Sequence, residues 1–401
     1  MKEKNIVCLK LVTFALQTKK KILAMKIVHI TTVHQRFDSR IFYKECLSLK
    51  REFDDVTLIV ADGKGDENVQ GINIIDIGAD ANRLKRLLFA SKRAVKKAIS
   101  LKADVYHFHD PDLLIVARKL SRYGKVIFDS HEDFPKLMLQ RPYIPKFLRK
   151  IFFTIATRTE KKTYEKLSGV VTATENIGKK FLNYGNNNVV CVKNYPIIDI
   201  NNQISQKDIK NSPFTACYVG GLTAIRGVKE MIVACEKAET KLILAGPFDD
   251  KMFLEDMKQL SGWKNVDYLG IVKHSELKDK VYQKSHIGLN MLLSAPNHTD
   301  AIPIKQLEYM AESLPVVATK HIKFCIEVTK ETDCGVLVTP ENSEECCRAI
   351  KYLKDNKEVR KQMGENGKNA ALNKYNWNKE AGKLIELYRQ LSKQSFTSNK
   401  Q

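Results

Sequence analysis

Short runs rich in Val, Ile and Leu alternate with longer amphipathic stretches along almost the whole chain. That rhythm predicts an α/β protein built on parallel sheets. Strands are expected at 26–31, 56–61, 72–77, 105–108, 126–130, 169–173 and 189–192, with helices at 40–51, 82–101 and 145–166. A second series places strands at 215–219, 241–245, 267–269, 287–291, 316–319 and 335–338. Its helices are expected at 228–237, 275–284, 303–313 and 343–356, with a further amphipathic helix at 377–391. Between the two series, residues 197–213 are polar, Asn-rich and aperiodic, as in a linker.

The pattern divides the chain into an extension (1–24), an N-terminal Rossmann-like unit (25–196), the linker (197–213), a C-terminal Rossmann-like unit (214–375) and a tail (376–401). The length of 401 residues fits two such units. In the extension the longest uncharged run is 11–18, short of the roughly 20 residues a membrane span needs. Nine scattered cysteines form no C-x-x-C pair, which argues against a zinc or disulfide framework.

Charge changes the picture. The net charge is +21, but residues 1–200 hold 37 Lys+Arg against 21 Asp+Glu, or +16, leaving 30 against 25, or +5, for the rest. Residues 81–102 carry eight cations and no acid; residues 141–162 carry seven cations and one acid beside Phe147, Leu148, Ile151, Phe152 and Phe153. Basic amphipathic helices suit an anionic membrane surface. An apolar stripe in the core beneath a solvated charged face would read the same way. No nucleic-acid-binding motif accompanies the charge, so no nucleic acid partner is expected.

Ligands of open α/β sheets bind beyond the carboxyl ends of the strands. After 215–219 come Gly220 and Gly221, then Arg226 and Gly227. Two glycines permit a tight turn and close backbone approach to a phosphate, and Arg226 adds charge. After 287–291 comes Asp300, then a helix opened by Pro303. Its free N–H groups make a seat for a diphosphate, which would rationalise Lys305 at the wrong end of the dipole. Glu308 is placed to accept hydrogen bonds from ribose hydroxyls; it reads equally as a surface carboxylate on an amphipathic helix.

The stretch 300–318 resembles the nucleotide-sugar site of glycosyltransferase family 4, of GT-B fold: two acids, here Asp300 and Glu308, then Pro315-Val-Val-Ala. The resemblance extends over most of residues 25–391. Asp104-Val-Tyr-His107-Phe-His109-Asp110-Pro111 is similar to the family's D-V-x-H-x-H-[DE]-P strand end. Departures are Asp300 for the usual Glu, Ser313 for the usual Gly, Gly221 at an Arg position, Arg226 at a Lys position, and no Gly-Gly turn after the first strand.

The resemblance implies two Rossmann-like domains facing across a cleft. It implies a retaining hexosyltransferase that uses a nucleotide-sugar donor, with no metal and no further cofactor. The catalytic set is His109, Asp300, Arg226 and Lys305, and the nucleotide set is Gly220, Gly221, Arg226, Lys305 and Glu308. His107 is expected to pack, while His131 and Glu132 could bind acceptor or act as a base. The expected acceptor is a lipid-linked glycan or sugar in surface polysaccharide biosynthesis, on the cytoplasmic face of the plasma membrane. The alternatives are a GT-B sugar-nucleotide epimerase and a catalytically degenerate membrane-bound assembly partner.

Overall fold

The computed structural model describes residues 23–80, 86–139, 144–185, 188–198, 212–295 and 301–397. Most of the extension (1–22), most of the linker (199–211) and Asp300 therefore lie outside the described residues. Two compact units emerge: Met1–Lys193 with Glu380–Gln401, and Asn194–Lys379.

The first unit holds β1 (Leu23–Ile30), β2 (Phe53–Val60), β3 (Glu67–Val69), β4 (Ile72–Asp76), β5 (Val105–Phe108), β6 (Lys125–Ser130), β7 (Gly169–Thr172) and β8 (Val189–Cys191). They form one sheet in the order β3-β4-β2-β1-β5-β6-β7-β8. The described pairings are parallel except β3 with β4. A parallel sheet is covered on both faces, which explains the nearly unbroken apolar runs. β1 starts at Leu23, so the two residues before Met25 belong to the strand rather than to the extension. The basic segment after β4 continues as a π-helical turn over Arg86–Ala90 into α1 (Ser91–Ser100). The second basic helix is α2 (Lys146–Tyr164), with Pro145 as its N-cap.

The second unit holds β9 (Thr215–Val219), β10 (Lys241–Ala245), β11 (Val266–Gly270), β12 (Ile287–Asn290), β13 (Val316–Thr319) and β14 (Gly335–Val338), in the order β11-β10-β9-β12-β13-β14. Two helices matter for the site: α3 (Val228–Lys237) and α4 (Ile304–Ala311). Pro303 is the N-cap of α4, with φ −70° and ψ 98°, not its first helical residue. The last helix, α5 (Trp377–Thr397), joins the first unit from Glu380 onward. There Arg389 pairs with Glu52 at 2.8 Å, and Leu387 packs on Gly169, where an added Cβ would meet it at 3.3 Å.

Candidate active site

Each sheet has a switch point, where successive crossovers run in opposite directions and loops part to leave a crevice. In the second unit it lies between β9 and β12; in the first it lies between β1 and β5. The loops at these points carry most of the expected residues.

In the second unit, Gly220 follows β9 with φ +147°, a conformation that side chains rarely adopt. Close approach requires glycine at Gly246 as well, where a Cβ would stand 1.8 Å from the Gly220 carbonyl oxygen. Gly221 is exposed beyond it. Gly227, φ +75°, then caps α3, and a Cβ there would strike the Met291 carbonyl at 2.0 Å. Leu293 N–H donates to Ile225 C=O at 3.0 Å, tying this loop to the end of β12. Arg226 is exposed in the turn Ala224–Arg226. Burial raises the Tyr218 pKa, and the Arg226 guanidinium opposes that rise.

On the other side of the switch point, the first turn of α4 has no side-chain cap. Its leading N–H groups and dipole are therefore available to an anion. Lys305 Nζ lies 2.6 Å from Glu308 Oε2, and the Tyr282 hydroxyl donates to the same oxygen at 3.1 Å. Lys305 is thus neutralised within its own helix rather than standing as an isolated cation. Ser313, just past α4, has φ +60°, the left-handed conformation that glycine adopts freely.

In the first unit, Asp110 organises the loop after β1. Its carboxylate accepts from the Thr31 hydroxyl at 3.0 Å, the Thr32 hydroxyl at 3.1 Å, Val33 N–H at 3.2 Å and Thr32 N–H. His34 Nδ1 stands 2.9 Å from the other oxygen. Burial works against ionised Asp110, but His34 and the backbone N–H of Thr32 outweigh it and hold its pKa below the usual carboxylate range. The hydrogen bond to Asp110 raises the pKa of His34 in turn.

His109 is buried. Its Nε2 lies 2.9 Å from His29 Nδ1, and its Nδ1 lies 3.3 Å from Asp129 Oδ2, so both ring nitrogens face protein groups. Arg40 grips Asp129 with two bonds of 3.0 Å each and donates to Val192 C=O at 2.9 Å. Burial opposes ionised Asp129, yet Arg40 holds its pKa well below normal. Burial and the Asp129 charge push the Glu45 pKa well above the usual carboxylate range, against the opposing pull of Arg40. Burial also keeps His29 and His107 neutral and draws the His131 pKa down to about 4. The Tyr388 hydroxyl completes the chain, 2.8 Å from His107 Nδ1 and 3.4 Å from His29 Nε2.

His29, Glu45 and Tyr388 escape the sequence reading. Their signal is slight: one histidine in an apolar strand, register-paired with His107, and a tyrosine from the far end of the chain. His29, Glu45, His107 and His109 bring potential ligand atoms within 4.8 Å of one another, as do His109, Asp129 and His131. These sets could hold a metal. Arg40, however, already places a cation 2.9 Å from Glu45 and 3.0 Å from Asp129.

Residues 199–370 match the family model described as Glycosyl transferases group 1. An uncharacterized glycosyltransferase of Methanocaldococcus jannaschii is 28% identical over 177 residues, 43% of this chain and 44% of that protein. The capsular polysaccharide biosynthesis glycosyltransferase CapM of Staphylococcus aureus is 21% identical over 213 residues, 50% of this chain and 54% of that protein. The chain spans about half the length of the curated relatives it matches. Among solved structures, Anabaena HepE in complex with UDP and glucose superposes with a TM-score of 0.65 at 16% identity, covering 91% of this chain and 100% of that one. With the GT-B fold and a group 1 match over residues 199–370, the chain carries a glycosyltransferase family domain.

Proposed function

We propose that the protein transfers a sugar from a nucleotide-sugar donor, with retention, to a lipid-linked or polysaccharide acceptor in surface polysaccharide biosynthesis at the inner face of the plasma membrane. One observation carries this reading: the Gly220-Gly221 turn and the uncapped start of α4 flank one switch point, and Glu308 stands on that same helix. In this reading the α4 N–H groups and Arg226 bind the diphosphate and stabilise the charge that develops on the departing β-phosphate. Lys305 swings from Glu308 to the phosphate as the nucleotide enters, which frees Glu308 for the ribose. Asp300 orients the sugar. His109 is assigned a positioning role in place of the expected contact with the donor sugar, because its buried ring has one nitrogen against His29 and the other against Asp129. The +16 charge of residues 1–200 supports an anionic membrane as partner.

A panel of nucleotide-sugars, assayed with and without membrane extract for release of nucleoside diphosphate and for epimerisation of the sugar still attached to the nucleotide, tests the proposal. A transferase releases it faster when extract supplies acceptor. An epimerase turns over donor without acceptor, and a degenerate assembly partner turns over none.

A further inference from the structure

Two helices of the first unit are basic and amphipathic, and the structure treats their apolar sides differently. In α1, Ala94, Val95 and Ala98 are buried in the core. Arg93 is tied down by Ile77 C=O at 2.9 Å and by Asp80 at 2.8 Å. Its apolar stripe is therefore core and its cations are a solvated face.

Helix α2 packs by one side, where Ala156, Glu160, Thr163 and Tyr164 are buried and the Thr163 hydroxyl donates to Leu114 C=O at 3.0 Å. Its other side leaves Phe147 79%, Ile151 54%, Phe152 43% and Ile155 54% exposed. Positions 147, 151 and 155 fall four apart, so they stack in one stripe, with Phe152 beside it. Lys150 and Lys161 border this stripe, while Arg158 and Lys162 extend it toward the C-terminus; all four are exposed. Residues 141–159 contain no acid, and Glu160 is turned inward against Lys180 at 2.7 Å. A large apolar stripe flanked by cations that have no ion-pair partner among the described residues has the chemistry of an interfacial helix.

We propose that α2, rather than α1, is the element that docks this protein on an anionic lipid bilayer. Phe147, Ile151, Phe152 and Ile155 enter the boundary between headgroups and acyl chains, and the flanking lysines and arginine meet the lipid phosphates. Cationic flanks repel their own kind, so charge favours a lipid surface over a second copy of the same helix. The proposal extends the membrane-face reading above, but its test does not depend on catalysis.

The test is co-sedimentation of the full chain with phosphatidylcholine vesicles, with and without phosphatidylglycerol. Wild type should partition onto the anionic vesicles, less so as salt rises. Phe147→Ser with Ile151→Ser should reduce that partitioning by about tenfold or more. Lys92→Gln with Lys96→Gln on α1 should leave it within about twofold, since Ala94, Val95 and Ala98 on that helix are buried in the core and cannot enter the bilayer. Unchanged melting temperatures would show that every variant folds. Three results would overturn the proposal: equal partitioning of the Ser variant and wild type, equal binding of wild type to neutral vesicles, or a wild-type dimer that the Ser substitutions dissolve without any vesicle binding. Donor hydrolysis measured on the same samples separates the two readings. Hydrolysis without vesicle binding leaves the enzyme proposal standing, and vesicle binding without hydrolysis leaves the docking proposal standing.

Discussion

His29 Nδ1 and His109 Nε2 lie 2.9 Å apart inside the first unit, joined across two adjacent parallel strands. One nitrogen must carry the proton and the other must accept it. The pair therefore ties the tautomer of His109 to that of His29, and the remaining nitrogen of His109 lies beside Asp129. Tyr388 does the same for His107 from the last helix.

Tyr388→Phe should destabilise the protein by about 1–3 kcal/mol, because His107 Nδ1 then has a buried polar atom with no partner. Nucleotide affinity should not change, since the proposed nucleotide residues belong to the other unit. Thermal melts paired with calorimetry check both halves of the prediction; an unchanged melting temperature would show that the hydroxyl bond is idle.

Arg40 and Asp129 form a fully buried, two-bond ion pair. Removing one partner leaves an uncompensated charge, so Arg40→Met should cost about 3–5 kcal/mol. The double variant Arg40→Met with Asp129→Leu should be less destabilised than that single variant. Denaturant unfolding of wild type, the two single variants Arg40→Met and Asp129→Leu, and the double variant decides it, and simple additivity would contradict the pairing.

His34 and Asp110 predict a pH window. The pKa of His34 is raised above about 6.5, so its contribution is complete below that pH and is lost as pH rises through the higher folded value. The pKa of Asp110 is lowered below about 3.8, so its contribution is complete above that pH and is lost as pH falls through the lower folded value. Stability from this pair should peak between these limits. His34→Gln should remove the loss on the alkaline side, and an unaltered alkaline limb would reject the assignment.

Activity should survive saturating EDTA. In the proposed reading helix α4 and Arg226 supply the charge that a divalent ion would otherwise bring to a diphosphate, and Arg40 lies against Glu45 and Asp129 of the histidine cluster. Loss of turnover that only Mg²⁺ or Mn²⁺ restores would contradict this.

Local chemistry made half of the site legible. The Gly220-Gly221 turn and the helix after Pro303 announce themselves through residue types that act over a few positions. The histidine network does not, because β1 and β5 are sequence-distant strands that a crossover brings side by side, and Tyr388 arrives from 281 positions beyond its partner His107. Nor could periodicity separate α1 from α2. Both show a stripe under cations, and only packing reveals that Val95 is covered while Ile151 is bare. The pairing of Lys305 with Glu308 is hidden for the opposite reason: each residue type alone points to a ligand, though three positions on a helix bring the two into contact.

Calorimetric titration of Glu308→Ala with the nucleoside diphosphate of the preferred donor tests the central claim most directly. Loss of Glu308 would remove the proposed ribose contact but also release Lys305, 2.6 Å away, to the phosphates. A carboxylate that binds ribose must therefore show a net loss despite that gain. The expected result is at least tenfold weaker binding, about 1.4 kcal/mol or more. Unchanged or tighter binding would mean that Glu308 merely neutralises Lys305, and the nucleotide site would then lie elsewhere.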